Sequence, residues 1–408
     1  MTAIRSIELD LDTLAVSVEY GDKTTSRTVL PELPLAQIST IRRLRLDFAA
    51  GQLLLRLPNG RVAPVELRVP GYNDAALLAG RFVIYLDQNM WSTLAAARHG
   101  HRQVSKKDAA AAVLLAQLVE ERRVVLPISS SHFLETGRHY GPNRVPLAST
   151  LLELSRGWQM RHPGIIGLHE MSSALTNGRT PVQADIFTLE PNATFLQDSP
   201  PPKPEYPEPL SAIMSQIGDV MSQVIAASGT YDAVIESPIP DEGGAAALQR
   251  WAAAQDEVVK MLEKDQASPD YVRRVALARL LADYGEQGIL RSGPGLGPEV
   301  FSQDSLKAWL PQAPKEIAAM PYLGRLWRLT YARLRNGAPW KPGDLADIHN
   351  LAAAAGYATV VAGEKRTIGD LRSAKQVTPG AYLATSLSEA VVGVLRAVVE
   401  QAAKVAAA

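Results

Sequence analysis

The sequence predicts an α/β fold in which helices flank a parallel sheet, with a small N-terminal β domain and a helical insertion. Residues 1–75 alternate between apolar and polar side chains. Residues 81–170 and 340–408 combine continuous apolar runs with helical spacing, which is typical of a parallel sheet. Between these two parts, residues 171–339 have mainly helical spacing and contain a proline-rich linker at 199–209.

Composition narrows the class of protein. The chain has 408 residues, is 46% apolar, and carries 42 basic and 42 acidic side chains, so its formal charge is zero. This balance excludes a strongly basic nucleic-acid coat protein and an acidic disordered protein. Because cysteine is absent, disulfide scaffolds, zinc ribbons and thiol nucleophiles are also excluded. Any metal site must use carboxylates or histidines.

Neither terminus predicts a membrane association. The first residues, MTAIRSIELDLDTLAVS, carry acids where a signal peptide has an apolar run. The apolar C-terminal stretch is interrupted by Glu389, Arg396, Glu400 and Lys404, which is typical of an amphipathic helix. We therefore expect a cytoplasmic protein without a membrane partner.

The segment 1–75 is predicted to be a small antiparallel β domain. Its alternating stretches predict about five strands, each with one buried face. The segment contains no histidine, and its acids are scattered along the chain. No chemistry is therefore expected in it.

Two apolar runs in 81–170 predict buried strands. Arg81 to Leu86 and Val124 to Ile128 are continuous runs of the kind found in strands covered on both faces. Helical spacing lies between them. Ser129 to Ser131 offer N-cap side chains for a following helix that carries Glu135.

The succession of predicted strands and helices resumes in 340–408. Gly343-Asp344 opens a predicted helix, Tyr357 to Val361 form a third predicted strand, and a C-terminal helix is predicted from about Ser386. Strands on both sides of 171–339 therefore predict one discontinuous α/β domain.

The segment 171–339 is predicted to be a mainly helical insertion. Its predicted helices lie at about 210–227, 244–266, 269–287 and 321–335. It holds 15 basic and 20 acidic side chains. Two roles remain open for it: an acidic lid that limits access to the sheet, or a rigid scaffold.

Carboxylates occur at equivalent places along the predicted sheet. Asp87 ends the first strand, Glu135 lies about one turn into the helix after the second, and Glu364 lies just past the third. Asp347 and Asp344 share one face of the helix that enters the third strand. Ligands of parallel sheets collect at the carboxyl ends of strands. Converging acids would repel one another without a cation, so the sequence predicts a Mg²⁺ or Mn²⁺ site.

Three segments together resemble the PIN-like nuclease family: YLDQNMW, SSSHFLE and DLADIHNLAAAAGYATVVAGEK. The resemblance covers about 81–170 and 340–385, and Asp347 and Glu364 lie 17 residues apart, close to the family's spacing. Two features differ from the family pattern. Glu364 stands where the family usually has aspartate, and the chain between Glu135 and Asp347 is much longer than in compact members.

The resemblance implies a PIN-like metal-dependent endonuclease that hydrolyses phosphodiester bonds, with RNA preferred to DNA. It implies that Mg²⁺ or Mn²⁺ is held by acids that include the catalytic residues Asp87, Glu135, Asp347 and Glu364, with Asp344 as a further ligand. The expected substrate contacts are Asn89, Ser130, Lys365 and Arg366. By analogy with the family, the protein is a candidate toxin or phage-defence effector.

Each of these residues also has an ordinary structural alternative. Asn89 and Asp344 could cap their helices, and Glu364 could be a surface turn acid. For the whole protein the alternative is an inactive PIN-like module that binds or regulates other molecules. Convergence of the acids to about 5–6 Å would favour the metal site. A second copy or a regulatory partner is expected to contact 1–75 or 171–339.

Overall fold

The computed structural model describes residues 4–29, 31, 41–57, 60–67, 73–138, 144–190, 192–195, 242–290, 301–337, 339–374 and 378–407. The predicted linker at 199–209 and the predicted helix at 210–227 lie outside these residues. Within the described part of the chain, no helix combines the length and the hydropathy needed to span a membrane.

The N-terminal segment forms an antiparallel sheet, as predicted, but with six strands instead of about five, in the order β3-β2-β1-β4-β5-β6. The strands are β1 (Ile4–Asp10), β2 (Ala15–Tyr20), β3 (Thr25–Val29), β4 (Arg43–Asp47), β5 (Gln52–Arg56) and β6 (Val62–Glu66). Because side chains alternate between the faces of a sheet, one face buries a row of leucines that includes Leu44, Leu46, Leu53 and Leu55. Leu152, from a helix of the second part, packs into the same cluster.

The second part of the chain contains further strands. They are β7 (Phe82–Leu86), β8 (Val124–Val125), β9 (Gln159–Met160), β10 (Phe187–Thr188), β11 (Val360–Ala362) and β12 (Tyr382–Ala384). Four of them form a parallel sheet in the order β12-β11-β7-β8. β9 and β10 pair separately and antiparallel. The predicted parallel sheet is therefore confirmed. It includes β11, which follows residues 171–339 in the sequence and pairs with β7.

Helices surround this sheet. They are α1 (Asp74–Leu78), α2 (Gln88–His99), α3 (Lys106–Glu120), α4 (Ser130–Arg138), α5 (Arg144–Ser155), α6 (Pro163–Leu175), α7 (Gln183–Ile186), α8 (Glu242–Lys264), α9 (Pro269–Leu290), α10 (Gln303–Trp309), α11 (Ala313–Ala319), α12 (Leu323–Asn336), α13 (Asp344–Tyr357), α14 (Lys365–Ser373) and α15 (Leu387–Ala407).

The parallel sheet is covered on both faces, as its continuous apolar runs predict. Ile84 and Leu86 lie in a hydrophobic cluster with residues of α2, α3 and α15. Val83 and Tyr85 lie in a second cluster with residues of α6, α9, α12 and α13. Successive residues of one strand therefore contribute to two cores, which is why β7 has no polar face.

Two strands differ from the predicted bounds. The second apolar run pairs only at Val124–Val125, and Ile128 forms an isolated bridge to Gln159 instead. Pro127 lies between them and has no amide hydrogen to donate to a ladder. The third strand begins at Val360, because α13 continues through Tyr357.

A buried carboxylate joins the helices of 171–339 to the α/β part. Glu170 on α6 accepts hydrogen bonds from the backbone amides of Tyr322 (2.7 Å) and Leu323 (2.8 Å) at the start of α12. The hydroxyl of Tyr357 donates a third bond to it, at 2.6 Å. Glu170 thus satisfies helix-end amides that have no partner within their own helix.

Candidate functional site

Asp87 links the ends of two neighbouring strands. It follows β7 and is the N-cap of α2, where its Oδ1 accepts the amide of Met90 at 2.8 Å. Its Oδ2 accepts the amide of Glu364 at 2.8 Å, just beyond β11. Its own amide donates to the carbonyl of Ala362 at 2.9 Å. The carboxylate is therefore held by one backbone amide of α2 and one from the turn after β11.

Gly363 allows this close approach. A Cβ atom at that position would lie 3.1 Å from Oδ2 of Asp87, tighter than most real contacts of a Cβ atom. A side chain here would push on the carboxylate or on the turn after β11. The absence of a side chain at Gly363 therefore leaves room for the carboxylate of Asp87.

Glu364 and Asn89 contact each other across the same edge. Glu364 is exposed at the N-cap position of α14, and its Oε1 accepts a hydrogen bond from Nδ2 of Asn89 on α2. The cap of α2 is Asp87, so Asn89 does not serve as the helix cap. Its amide instead holds the carboxylate of Glu364.

Asp347 and Asp344 lie in the first turn of α13. Asp344 is the first residue of the helix, after the N-cap Gly343, so it is not the cap either. Its Oδ2 accepts the amide of Lys341 at 2.8 Å and pairs with the guanidinium of Arg333 at 2.9 Å. The charge of Asp344 therefore already has a cation partner.

The acids at this edge act on one another's protonation. The pKa of Asp87 is raised to about 6: desolvation by burial is the largest cause, the amides of Met90 and Glu364 oppose it, and the charges of Glu364 and Asp347 add to it. The residue Asp347 is exposed, but its carboxyl group is partly desolvated by the protein around it. This desolvation, followed by the charges of Asp344 and Glu364, raises the pKa of Asp347 to about 6, while Arg333 lowers it.

Glu135 lies on the other side of β7. It is half-buried on α4, and its charge and that of Asp87 both raise the pKa of the buried Tyr85, after desolvation. Ser130 is half-buried at the first position of α4. Lys365 and Arg366 are exposed at the first two positions of α14, directly after Glu364.

Sequence reasoning missed His132, which fixes α4 to the end of β7. His132 is buried, and its Nδ1 accepts the amide of Ser129 at 2.9 Å, so Nε2 carries the proton and donates to the carbonyl of Leu86 at 2.8 Å. Burial lowers the pKa of this histidine to about 4, which keeps it neutral. The signal was available: the serine-histidine run begins immediately after an apolar run.

A buried hydroxyl network supports the same junction. The hydroxyl of Tyr85 lies 2.9 Å from Oγ of Ser129, which lies 2.9 Å from Oγ of Ser131. Two of the three serines predicted as N-caps, Ser129 and Ser131, therefore hold the strand and the helix together.

The described residues contain no group of three or more histidine, cysteine, aspartate or glutamate side chains placed to hold a metal ion. The predicted cage of four or five acids is thus not assembled there. The structure brings Asp87, Glu364 and Asp347 within electrostatic reach, and Arg333 neutralises Asp344.

A cavity of about 440 Å³ lies elsewhere on the molecule. Its lining includes Asn73, Arg161, His169, Arg179 and Asp185, and none of the predicted site residues. Both charge signs occur in it, and Arg179 pairs with Asp185 at 2.9 Å.

Comparison of the chain with protein-family models, with curated proteins and with solved structures finds no match.

Proposed function

We propose that the protein is a metal-dependent nuclease of PIN-like type that hydrolyses phosphodiester bonds, in RNA rather than DNA. One observation carries the proposal: Asp87 and Glu364 lie together beyond the ends of β7 and β11, where Oδ2 of Asp87 accepts the amide of Glu364 at 2.8 Å. The charge of Glu364 also contributes to raising the pKa of Asp87 and that of Asp347 to about 6. Coupled carboxylates at the carboxyl ends of parallel strands are an arrangement that a bound cation would stabilise.

These carboxylates fit a Mg²⁺ or Mn²⁺ ion that is held by few protein ligands better than one surrounded by four or five acids. Mg²⁺ keeps several of its waters and is commonly held by one or two carboxylates. Asp87 and Asp347 are the proposed direct ligands, with Glu364 and Glu135 acting on bound water. A bound divalent cation supplies charge neutralisation at the scissile phosphate and a water of lowered pKa.

The chain's own groups orient this site. The amides of Met90 and Glu364 hold the two oxygens of Asp87 in place. Asn89 holds the carboxylate of Glu364 through its side-chain amide. Lys365 and Arg366, exposed beside it, are the proposed contacts for the phosphates that flank the scissile bond.

The second candidate function is a PIN-like module that binds without cleaving. It is favoured by the lack, among the described residues, of three or more side chains arranged as metal ligands. The two candidates share the same surface and differ in whether the carboxylates hold a cation.

The test is cleavage of labelled single-stranded RNA and DNA by the full chain with Mn²⁺, Mg²⁺ or EDTA. We expect metal-dependent cleavage of RNA, and its loss in the double variant Asp87→Asn, Asp347→Asn. The matched control is Asp22→Asn, Asp304→Asn, which removes two exposed acids away from the site. Cleavage by the folded site variant at the rate of the control would rule out the proposal, and binding without cleavage would favour the second candidate.

A further inference from the structure

The helices α9 and α12 carry a basic surface within a segment that is acidic overall. The surface consists of Tyr271, Arg273 and Arg274 on α9 and of Arg328, Tyr331 and Arg335 on α12. Positions 328, 331 and 335 share one face of α12, because they are three and four residues apart. We call this set the arginine surface.

Contacts between the two helices hold the arginine surface together. Nε1 of Trp327 donates to the carbonyl of Arg273 at 3.1 Å, which ties α12 to α9. The guanidinium of Arg273 lies over the ring of Tyr331, 5.3 Å from its centroid. The guanidinium of Arg274 lies 5.9 Å from the centroid of Tyr271. Both distances are within the range of cation–π contacts.

Few acids neutralise these arginines. Within the described parts of the chain, Arg274, Arg328 and Arg335 form no salt bridge, and Arg273 pairs only with Asp270, at 3.4 Å. Asp270 is 85% exposed, so water screens this pair. The pKa of Arg328 is lowered by desolvation and by the charge of Arg273, which places the two guanidinium groups within electrostatic reach. Adjacent cations whose one counter-ion is screened by water favour binding of a polyanion.

The helix that carries half of the arginine surface also contacts the proposed active site, but through its opposite face. Arg333, on the same helix, is buried and pairs with Asp344, whose charge acts on Asp347. Arg335 follows two residues later, and the row from Arg328 to Arg335 spans about 10 Å of helix. Because residues two apart point to opposite sides of a helix, this row lies on the side of α12 away from Arg333 and the acids.

We propose that the arginine surface binds single-stranded nucleic acid, with the guanidinium groups on phosphates and Tyr271 as a stacking face for a base. Tyr271 is 41% exposed, so its ring is accessible, whereas Tyr331 is half-buried beneath Arg273. Aromatic rings combined with arginines are the usual means of binding single strands without sequence preference. The substrate class rests on the proposed function, but binding requires neither metal nor cleavage.

The test measures binding of a fluorescein-labelled 12-nucleotide oligouridylate to the full chain in EDTA, by anisotropy. Arg273→Ala with Arg328→Ala should weaken binding at least tenfold, and should lower the slope of log affinity against log salt by about 1.4, since each lost phosphate contact removes about 0.7. Arg274→Ala with Arg335→Ala changes only exposed residues and should act in the same direction. Tyr271→Leu should weaken binding about fivefold or more, with no change in slope.

The control is Arg27→Ala with Lys107→Ala, which removes two exposed cations on β3 and α3. Unchanged affinity in both folded arginine variants would overturn the inference. Displacement of the oligonucleotide by poly-glutamate as readily as by unlabelled oligouridylate, or equal affinity for duplex DNA, would also overturn it. Loss of binding in these variants, without cleavage by wild type in Mn²⁺, would leave the inference standing and reject the nuclease. Cleavage by the wild type, together with unchanged binding in the arginine variants, would support the nuclease and reject the inference.

Discussion

At the scale of single residues, Asp87 has three tasks. It caps α2, joins the ends of β7 and β11 through hydrogen bonds, and contributes a carboxylate whose pKa is raised. The first two tasks need an acceptor oxygen, whereas binding a cation needs the negative charge. Substitution by asparagine keeps the shape and removes the charge, but it leaves one acceptor oxygen where two now accept backbone amides, so one of the two hydrogen bonds is lost.

We expect Asp87→Asn to fold and to lose metal binding. Mn²⁺ affinity, measured by calorimetry, and RNA cleavage should each fall at least tenfold, about 1.4 kcal/mol. Circular dichroism should confirm the fold, and Asp22→Asn serves as the control. Wild-type Mn²⁺ affinity in the folded variant would show that Asp87 is not a ligand.

The raised pKa of Asp87 predicts how stability depends on pH. A carboxyl whose pKa is about 6 in the folded protein, against 3.8 as its ordinary value, binds its proton more tightly when folded. Its contribution to stability is therefore present below about pH 4 and is lost as the pH rises to about 6. The loss is up to about 3 kcal/mol for a shift of this size.

Urea denaturation of metal-free protein between pH 4 and 7 measures this effect. The unfolding free energy of wild type should fall across the interval more steeply than that of Asp87→Asn. Saturating Mn²⁺ should remove part of the fall, since a bound cation stabilises the ionised carboxylate. Parallel pH profiles for the two proteins would refute the shift.

At the scale of elements, the turn after β11 sets the geometry of the acid site. Gly363 leaves room for Asp87, and the next amide, from Glu364, binds that carboxylate. On the opposite side of β7, His132 and the serines before it fix the start of α4. Two short junctions thus position acids that come from three separate parts of the chain.

Gly363→Ala tests the first of these junctions. The added Cβ would meet Oδ2 of Asp87 at 3.1 Å, so we expect Mn²⁺ affinity and cleavage to fall severalfold through displacement of the carboxylate. Gly369→Ala is the matched control, because a Cβ at this helical position meets no atom within 4 Å. The control should retain activity and gain about 0.4–1 kcal/mol of stability. Equal activity in the two variants would mean that the turn does not position Asp87.

At the scale of the whole molecule, 171–339 shares its core with the parallel sheet. One hydrophobic cluster contains Val83 and Tyr85 of β7 together with Tyr284 of α9 and Trp327 of α12. The hydroxyl of Tyr322 also lies 2.8 Å from Nδ1 of His349, which joins α12 to α13. We therefore expect these parts to unfold together. That 171–339 limits access to the acids stays a prediction.

Glu170→Ala tests this cooperativity. The change leaves the amides of Tyr322 and Leu323 and the hydroxyl of Tyr357 without their buried acceptor, so we expect a loss of about 3 kcal/mol or more. Unfolding in urea should remain a single transition, with the same midpoint by circular dichroism and by tryptophan fluorescence. The exposed Glu257→Ala is the control. Separate midpoints for the two signals would show that the segments fold independently.

Periodicity in the sequence was enough to predict the elements around the site. Continuous apolar runs predicted β7 and β11, because strands covered on both faces have no polar side. Asp87 follows β7 directly, and Glu364 lies two residues after β11. The position of each acid along its strand or helix was therefore predictable. The helix caps were not: Asp87 caps α2 and Gly343 precedes α13, whereas Asn89 and Asp344 were the candidates.

Local pattern in the sequence by itself determined which faces are buried and where β7 ends, but not where β8 ends. Only the tertiary structure decided which side chains meet, because partners distant in the chain are not encoded in its periodicity. Arg333 neutralises Asp344, and this pairing alters the predicted acid cage. Arg273 of α9 lies over Tyr331 of α12, and neither helix sequence by itself predicts this contact. Both contacts depend on how helices pack over the sheet, which long-range burial of apolar surface decides.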